Sequence, residues 1–254
     1  MAVKLMDTTD QKNEEGFDAI KINYVQTKIA NVGEDTLRNN RLMAFFDDTP
    51  FSDQYKILRT QILQIAKKED LKTLLVTSPI SDEGKSLTAA NLAISFAKEL
   101  HQTVLLVDGD LKAPSLHTLF DLHPSLGLSD YLVNQKSLSD ILVAPGIIEK
   151  LTVLCGRASR MNSAEILGSS RMKELVQEMK DRYKDRYIIF DSAPLLGCAD
   201  TLILSEYVDG IILVVEYGNT QRYQVDKALH LLAGKNVIGT ILNKSPMHRK
   251  QTYY

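Results

Sequence analysis

Short apolar runs separated by polar turns recur along the chain from about residue 73 onward, and they set its predicted architecture. Most of the runs near 73–77, 103–107, 151–154, 186–190, 210–216 and 237–242 are continuous in Val, Ile and Leu rather than alternating with polar residues. Such runs predict strands covered on both faces, hence a mostly parallel sheet. Between them, apolar residues at helical spacing predict helices over 85–100, 164–184 and 221–233, with short ones near 115–119, 128–133 and 199–206. Upstream, Ile57, Leu58, Ile62, Ile65 and Ala66 form one apolar stripe, which predicts a helix from Thr49 to Lys67. For the 221–233 helix, Thr220 is the expected cap, Val225, Ala228, Leu229 and Leu232 the buried face, and Gly234 the left-handed terminator. Residues 1–45 are polar, with Glu14, Glu15, Glu34 and Asp35 and no strong period. They are expected to form a flexible or loosely docked arm, with one short strand at Ile20–Val25. The expected organisation is this arm, one α/β domain over 46–244 and a flexible tail over 245–254.

Composition narrows the function classes. The 254-residue chain carries a formal charge of −2, with acidic and basic residues nearly balanced, so no general attraction to nucleic acid is expected. Apolar residues make up 44%, enough for an ordinary core. No run of about 18 apolar residues predicts a membrane span, and the N-terminus lacks the apolar block of a secretory signal. Cys155 and Cys198 lie far apart in apolar contexts, which argues for free thiols in a reducing cytoplasm. His101, His117, His123, His230 and His248 show no metal-ligand spacing.

Three strand ends carry the chemistry. The run Leu74–Thr77 leads through Ser78-Pro79-Ile80-Ser81-Asp82-Glu83 into Gly84-Lys85-Ser86-Leu87, which opens a helix. A strand–loop–helix of this kind aims backbone N–H groups and a positive helix end at a phosphate. Lys85 would reach the outer phosphates, and the Ser86 hydroxyl would ligate Mg²⁺. The loop departs from the usual P-loop in having Pro79 where a glycine stands, leaving Gly84 as its one glycine. The second run ends in Asp108-Gly109-Asp110 and the third in Asp191-Ser192-Ala193-Pro194. In a doubly wound sheet, ligands bind outside the carboxyl ends of the strands. The three ends are thus expected to share one crevice, where carboxylates suit a hard cation that keeps several waters. The predicted fold is a single P-loop nucleotidase domain of α/β class, with a mostly parallel central sheet and helices on both faces.

Together these motifs resemble those of the bacterial tyrosine kinases of capsule and exopolysaccharide synthesis. Further stretches agree: Asp53-Gln54-Tyr55-Lys56-Ile57-Leu58-Arg59-Thr60, Asn162-Ser163-Ala164-Glu165-Ile166-Leu167, Ala199-Asp200-Thr201 with Val208-Asp209-Gly210, and the terminal Tyr253-Tyr254. The resemblance covers about residues 45–254. It implies a stand-alone, ATP-dependent protein-tyrosine autokinase. Ser81 to Leu87 would bind ATP, Ser86, Asp108 and Asp191 would hold Mg²⁺, and Lys85, Asp108 and Asp110 would catalyse. Asn243 would recognise adenine, and Tyr253 and Tyr254 would accept phosphate. Asp53, Lys56 and Arg59 would serve assembly into a ring. The partner implied is the cytoplasmic segment of a membrane protein that governs polysaccharide chain length, which would recruit the kinase to the inner face of the membrane.

The sequence also departs from that family's pattern. Lys112 stands where arginine is usual and cannot make its bidentate fork. Ala193-Pro194 replaces Pro-Pro, and the ring helix carries Asp53, Lys56 and Arg59 in place of Glu-x-x-Arg-x-x-Arg. Two other readings stay open on these residues. One is a partitioning-type ATPase, whose extra loop lysine would fall at Ile80. The other is a nucleotide-gated scaffold of a polysaccharide export complex with little kinase activity.

Overall fold

The continuous apolar runs become the centre of one sheet, and alternate residues along each run enter opposite cores. The computed structural model describes residues 27–134, 136–159, 162–182 and 185–246. Its strands are β1 (Lys28–Ala30), β2 (Thr73–Thr77), β3 (Thr103–Asp108), β4 (Leu142–Pro145), β5 (Leu151–Leu154), β6 (Arg186–Asp191), β7 (Gly210–Glu216) and β8 (Val237–Asn243). They lie in the order β1-β4-β5-β3-β6-β2-β7-β8. All pairs are parallel except β4 with β5. Leu74, Val76, Val104, Leu106, Ile189, Ile212 and Val214 belong to one core. Leu75, Leu105, Val107, Ile188, Phe190, Ile211 and Leu213 belong to the other. In these strands the absence of a polar alternate has this cause: neither face meets water, whereas the edge strand β8 is partly exposed.

The helices are α1 (Glu34–Asn39), α2 (Pro50–Glu69), α3 (Lys85–Ala97), α4 (Leu116–Leu119), α5 (Leu128–Asn134), α6 (Leu138–Ile141), α7 (Ser163–Leu167), α8 (Ser170–Arg182), α9 (Asp200–Leu204) and α10 (Arg222–Leu231). The Thr49 hydroxyl accepts the Ser52 N–H at 3.1 Å to start α2, with Pro50 at the first helical position. Asp70, at φ 53°, ends it. The residues from Thr88 to Ala97 of α3 are all buried, so this helix lies between the sheet and α2.

Several elements differ from expectation. Residues 27–45 are not a loose arm: β1 pairs with β4, and Leu37, Leu42 and Ala44 are buried in the core with Phe46. Their apolar residues are too sparse to show a period, and the tie that docks them is distant in sequence. Asn91 on α3 accepts the Ala44 N–H at 2.9 Å and donates to the carbonyls of Arg41 and Leu87. The strand expected at Ile20–Val25 lies outside the described residues. The helix expected over 164–184 is broken after Leu167, where the Ser169 hydroxyl donates to the Ile166 carbonyl and accepts the Met172 N–H. Gln221, not Thr220, caps α10, through reciprocal bonds with Gln224. Leu229 is 40% exposed, while Ala228 and Leu232 are buried as expected. Gly234 is left-handed, at φ 82°.

Replacing Asn91→Ala leaves the buried Ala44 N–H without its acceptor. The expected loss of stability is about 1–3 kcal/mol in urea unfolding. An unchanged midpoint would mean that the Asn91 bonds do not hold 41–46 in place.

Candidate functional site

The site is built at the carboxyl ends of β2, β3 and β6, where the chain runs from β2 to strands on both sides of it. After β2 the loop turns through two left-handed residues, Asp82 at φ 66° and Gly84 at φ 87°, and enters α3 at Lys85. Gly84 is required twice over. Its φ disfavours any side chain, and a Cβ there would stand 2.2 Å from the Asn243 amide nitrogen. Pro79 has no N–H to offer, but its carbonyl accepts the Leu196 N–H at 3.0 Å, and the Ser78 carbonyl accepts that of Leu195 at 2.8 Å. The loop is thus anchored to the segment after β6.

The structure brings Lys85, Ser86, Asp108, Asp110 and Asp191 together. The Lys85 ammonium lies 3.6 Å from an Asp110 carboxylate oxygen and donates to the Ser86 hydroxyl at 3.3 Å. Asp108 and Asp191 face one another across the β3–β6 ladder. Asp108 Oδ2 accepts the N–H groups of Ser115 and Leu116, at 2.9 and 3.0 Å, and so fixes the start of α4. Asp110 Oδ1 accepts the Ala113 N–H at 2.9 Å. Asp191 is fully buried, and neither of its carboxylate oxygens has a partner in hydrogen-bonding geometry. Gly109 makes this crowding possible: a Cβ there would meet the Asp191 carbonyl at 2.9 Å and Leu204 at 2.7 Å.

Burial, with the neighbouring Asp191 charge, pushes the Asp108 carboxyl up to about 7 against its two backbone donors. Burial likewise pushes Asp191 up to about 6, opposed by the Lys85 ammonium and the Ser86 hydroxyl. Among the described residues no three His, Cys, Asp or Glu side chains are grouped to hold a metal ion on their own. An orphaned carboxylate beside a hydroxyl fits a cation that takes few protein ligands and fills its shell with water and phosphate oxygens.

Of the other residues singled out, Ser81 and Asp82 are exposed on the loop, Glu83 is buried, and Leu87 packs partly against the core. Asn243 ends β8 and donates to the Glu83 carbonyl at 2.8 Å. Arg59 pins α2 to α3, bonding the Ser95 carbonyl at 2.8 Å and Glu99 at 2.8 Å. Lys56 pairs with Asp53 and Asp47 at the surface. Tyr253 and Tyr254 lie outside the described residues. Two features have no role in the sequence reading. Asp200 is fully buried with neither oxygen hydrogen-bonded, 4.0 Å from the Lys112 ammonium. The Glu83 carboxylate bonds the Thr220 hydroxyl. Neither contact has a sequence period; the one available signal was a carboxylate sitting beside a recognised motif.

The raised carboxyls give a signed pH dependence. The folded protein keeps these protons to higher pH than the unfolded chain, so from about pH 4 to pH 7 the pair lowers stability as pH rises. Asp191→Asn is therefore expected to raise the urea midpoint of the nucleotide-free protein at about pH 7.5, with the gain vanishing near pH 4. An equal gain at both pH values would refute the assignment.

Residues 74–252 match the family described as the CobQ/CobB/MinD/ParA nucleotide binding domain. The chain is 38% identical over 208 residues to the tyrosine-protein kinase YwqD of Bacillus subtilis (strain 168), covering 80% of this chain and 86% of that protein. It is 29% identical over 227 residues to the succinoglycan biosynthesis transport protein ExoP of Rhizobium meliloti (strain 1021), covering 87% of this chain but 28% of that longer protein. Among solved structures, the chimerical protein CapA2B2 superposes with a TM-score of 0.76 at 26% identity, over 87% of this chain and 94% of that one. The chain belongs to the bacterial tyrosine-protein kinases, built on the CobQ/CobB/MinD/ParA nucleotide binding domain.

Proposed function

We propose that this chain is an ATP-dependent protein-tyrosine kinase that passes the γ-phosphoryl group of ATP to Tyr253 and Tyr254 of a neighbouring copy. One observation carries the reading: a loop lysine, Lys85, converges with the strand-end carboxylates Asp108, Asp110 and Asp191 in a chain 38% identical to a curated tyrosine-protein kinase. Loop residues Ser81 to Leu87 would wrap the phosphates with their N–H groups, and the Asn243 amide would read adenine at the rim. Lys85 would leave Asp110 to neutralise the outer phosphates, freeing that carboxylate for the incoming tyrosine. Ser86 and Asp191 would hold Mg²⁺, with Asp108 reaching it through water; the ion would supply charge neutralisation on the phosphates.

In the transfer, the tyrosine oxygen bonds to the γ-phosphorus as the bond to the ADP oxygen breaks. The phenolic proton passes to a site carboxylate. Asp108 and Asp110 are the candidates, and Asp108, with its raised proton affinity, suits a base working near neutrality. Positioning and charge neutralisation supply most of the acceleration in such transfers.

From Asn243 to Tyr254 an extended chain reaches about 35 Å, far enough to enter a neighbour's site in a ring-like homo-oligomer. Two phosphotyrosines would add about −3 to −4 charges and loosen that ring by repulsion from the acidic crevice. No helix of the described residues is long and apolar enough to cross a membrane. Recruitment to the inner face would come through the cytoplasmic segment of a membrane chain-length regulator in capsule or exopolysaccharide export. A longer relative, ExoP, named for succinoglycan biosynthesis transport, contains a region like this chain and supports that association.

The test is incorporation of label from γ-labelled ATP. Wild type is expected to become labelled on Tyr253 and Tyr254, while Lys85→Met and the Tyr253→Phe/Tyr254→Phe pair lose nearly all label. Undiminished labelling of Lys85→Met defeats the kinase reading. Tight Mg·ATP binding without label in the wild type favours the scaffold.

A further inference from the structure

The phosphate loop is strapped to the β8 edge of the sheet by side chains that its phosphate-binding role does not need. Glu83 is fully buried within a loop that must accept anions, where a carboxylate works against affinity unless it does something else. Its Oε2 accepts the Ile80 N–H at 2.9 Å, and its Oε1 bonds the Thr220 hydroxyl, which also accepts the Glu216 N–H at 2.7 Å. Glu216 continues the chain of contacts: its Oε2 accepts from Lys244 at 2.9 Å and from Asn219 at 3.2 Å. Lys244 closes the circuit by donating to the Asp82 carbonyl at 2.6 Å, next to the Asn243 bond on the Glu83 carbonyl.

Lys244 itself sits at φ 55°, a left-handed conformation that disfavours a side-chain-bearing residue and persists where surroundings hold it. It is the first residue after β8, so its backbone sets the direction of the chain that leads to Tyr253 and Tyr254.

We propose that Glu83 and Lys244 couple the phosphate loop to the exit of β8, so that nucleotide on the loop and the path of the chain beyond Lys244 bias each other. Glu83 is the positioning residue inside the loop, and Lys244 is the link at the exit. The proposal rests on the nucleotide reading above and adds a regulatory connection to the same site. Because coupling is reciprocal, whatever loosens the exit weakens nucleotide binding, and nucleotide tightens the exit.

The experiment combines calorimetric titration of Mg·ATP with hydrogen exchange on the full chain, for wild type, Glu83→Ala, Glu83→Gln and Lys244→Met. The Kd for Mg·ATP is expected to rise at least about fivefold in Glu83→Ala and in Lys244→Met. Glu83→Gln should recover most of the affinity, because its amide oxygen still accepts the Ile80 N–H. Nucleotide should slow amide exchange at residues 243–245 of the wild type and fail to do so in Lys244→Met. The Lys244 side chain is 45% exposed, so its variant keeps the test alive if Glu83→Ala does not fold. Wild-type affinity in Lys244→Met overturns the coupling, even where Glu83→Ala is weakened. So does nucleotide that slows exchange at 80–86 but leaves 243–245 unchanged. A wild type that binds no Mg·ATP is a different failure, since it removes the nucleotide reading first and the coupling with it.

Discussion

Charge held out of water is the constraint on which this structure turns. Asp108, Asp110 and Asp191 are all buried, and the cation placed among them is Lys85, paired to Asp110. Asp108 relieves its charge with backbone N–H groups at the start of α4, but Asp191 has no such relief. In a medium of low dielectric, neighbouring carboxylates repel strongly and raise each other's proton affinity. The sheet imposes this arrangement, because Asp108 and Asp191 are register partners on adjacent strands whose preceding residues are buried on both faces. A proton or a cation would relieve that strain, and in the proposed kinase a divalent ion with phosphate ligands would bring positive charge to this edge.

The phosphate loop shows how a chain can manage with little glycine. Left-handed turns fall on Asp82, a residue type that tolerates them, and on Gly84. The loop is also held from outside. The segment after β6 holds Ser78 and Pro79, and the exit of β8 holds Asp82 and Glu83. A loop fixed by its neighbours keeps its shape without nucleotide, which reduces the ordering that binding must impose.

Much of this was legible in the chain. Six of the eight strands, β2, β3, β5, β6, β7 and β8, announced themselves as apolar runs, and the three site motifs stood directly at the ends of β2, β3 and β6. Where the reading failed, stabilisation came from residues distant in sequence. The segment 27–45 shows no period, and it is docked by Asn91 and by pairing of β1 with β4. The four-residue β4, and the helix break at Gly168 and Ser169, are too short to outweigh their flanks in a periodicity count. Thr220 looked like a cap because it precedes a helix, yet its hydroxyl serves Glu83 and Glu216 instead. Burial of Glu83 and Asp200 had no sequence signature, since a charged residue beside a motif reads as solvated until its neighbours are known.

The α2 helix illustrates the same limit for assembly. Spacing by three put Asp53, Lys56 and Arg59 near one helix face, and the resemblance gave all three to subunit contacts. Within the protomer, Arg59 is already engaged with Ser95 and Glu99, and its side chain is 17% exposed. Breaking that ion pair to serve a neighbour would cost a partly buried charge its partner. The outward face of α2 offers something else: Ile57, 60% exposed, one turn from the exposed Asp53. Exposed apolar side chains flanked by charge are the usual composition of a contact patch. If α2 serves the proposed ring, Arg59 would orient the helix from behind, and the contact would fall to Asp53, Lys56 and Ile57.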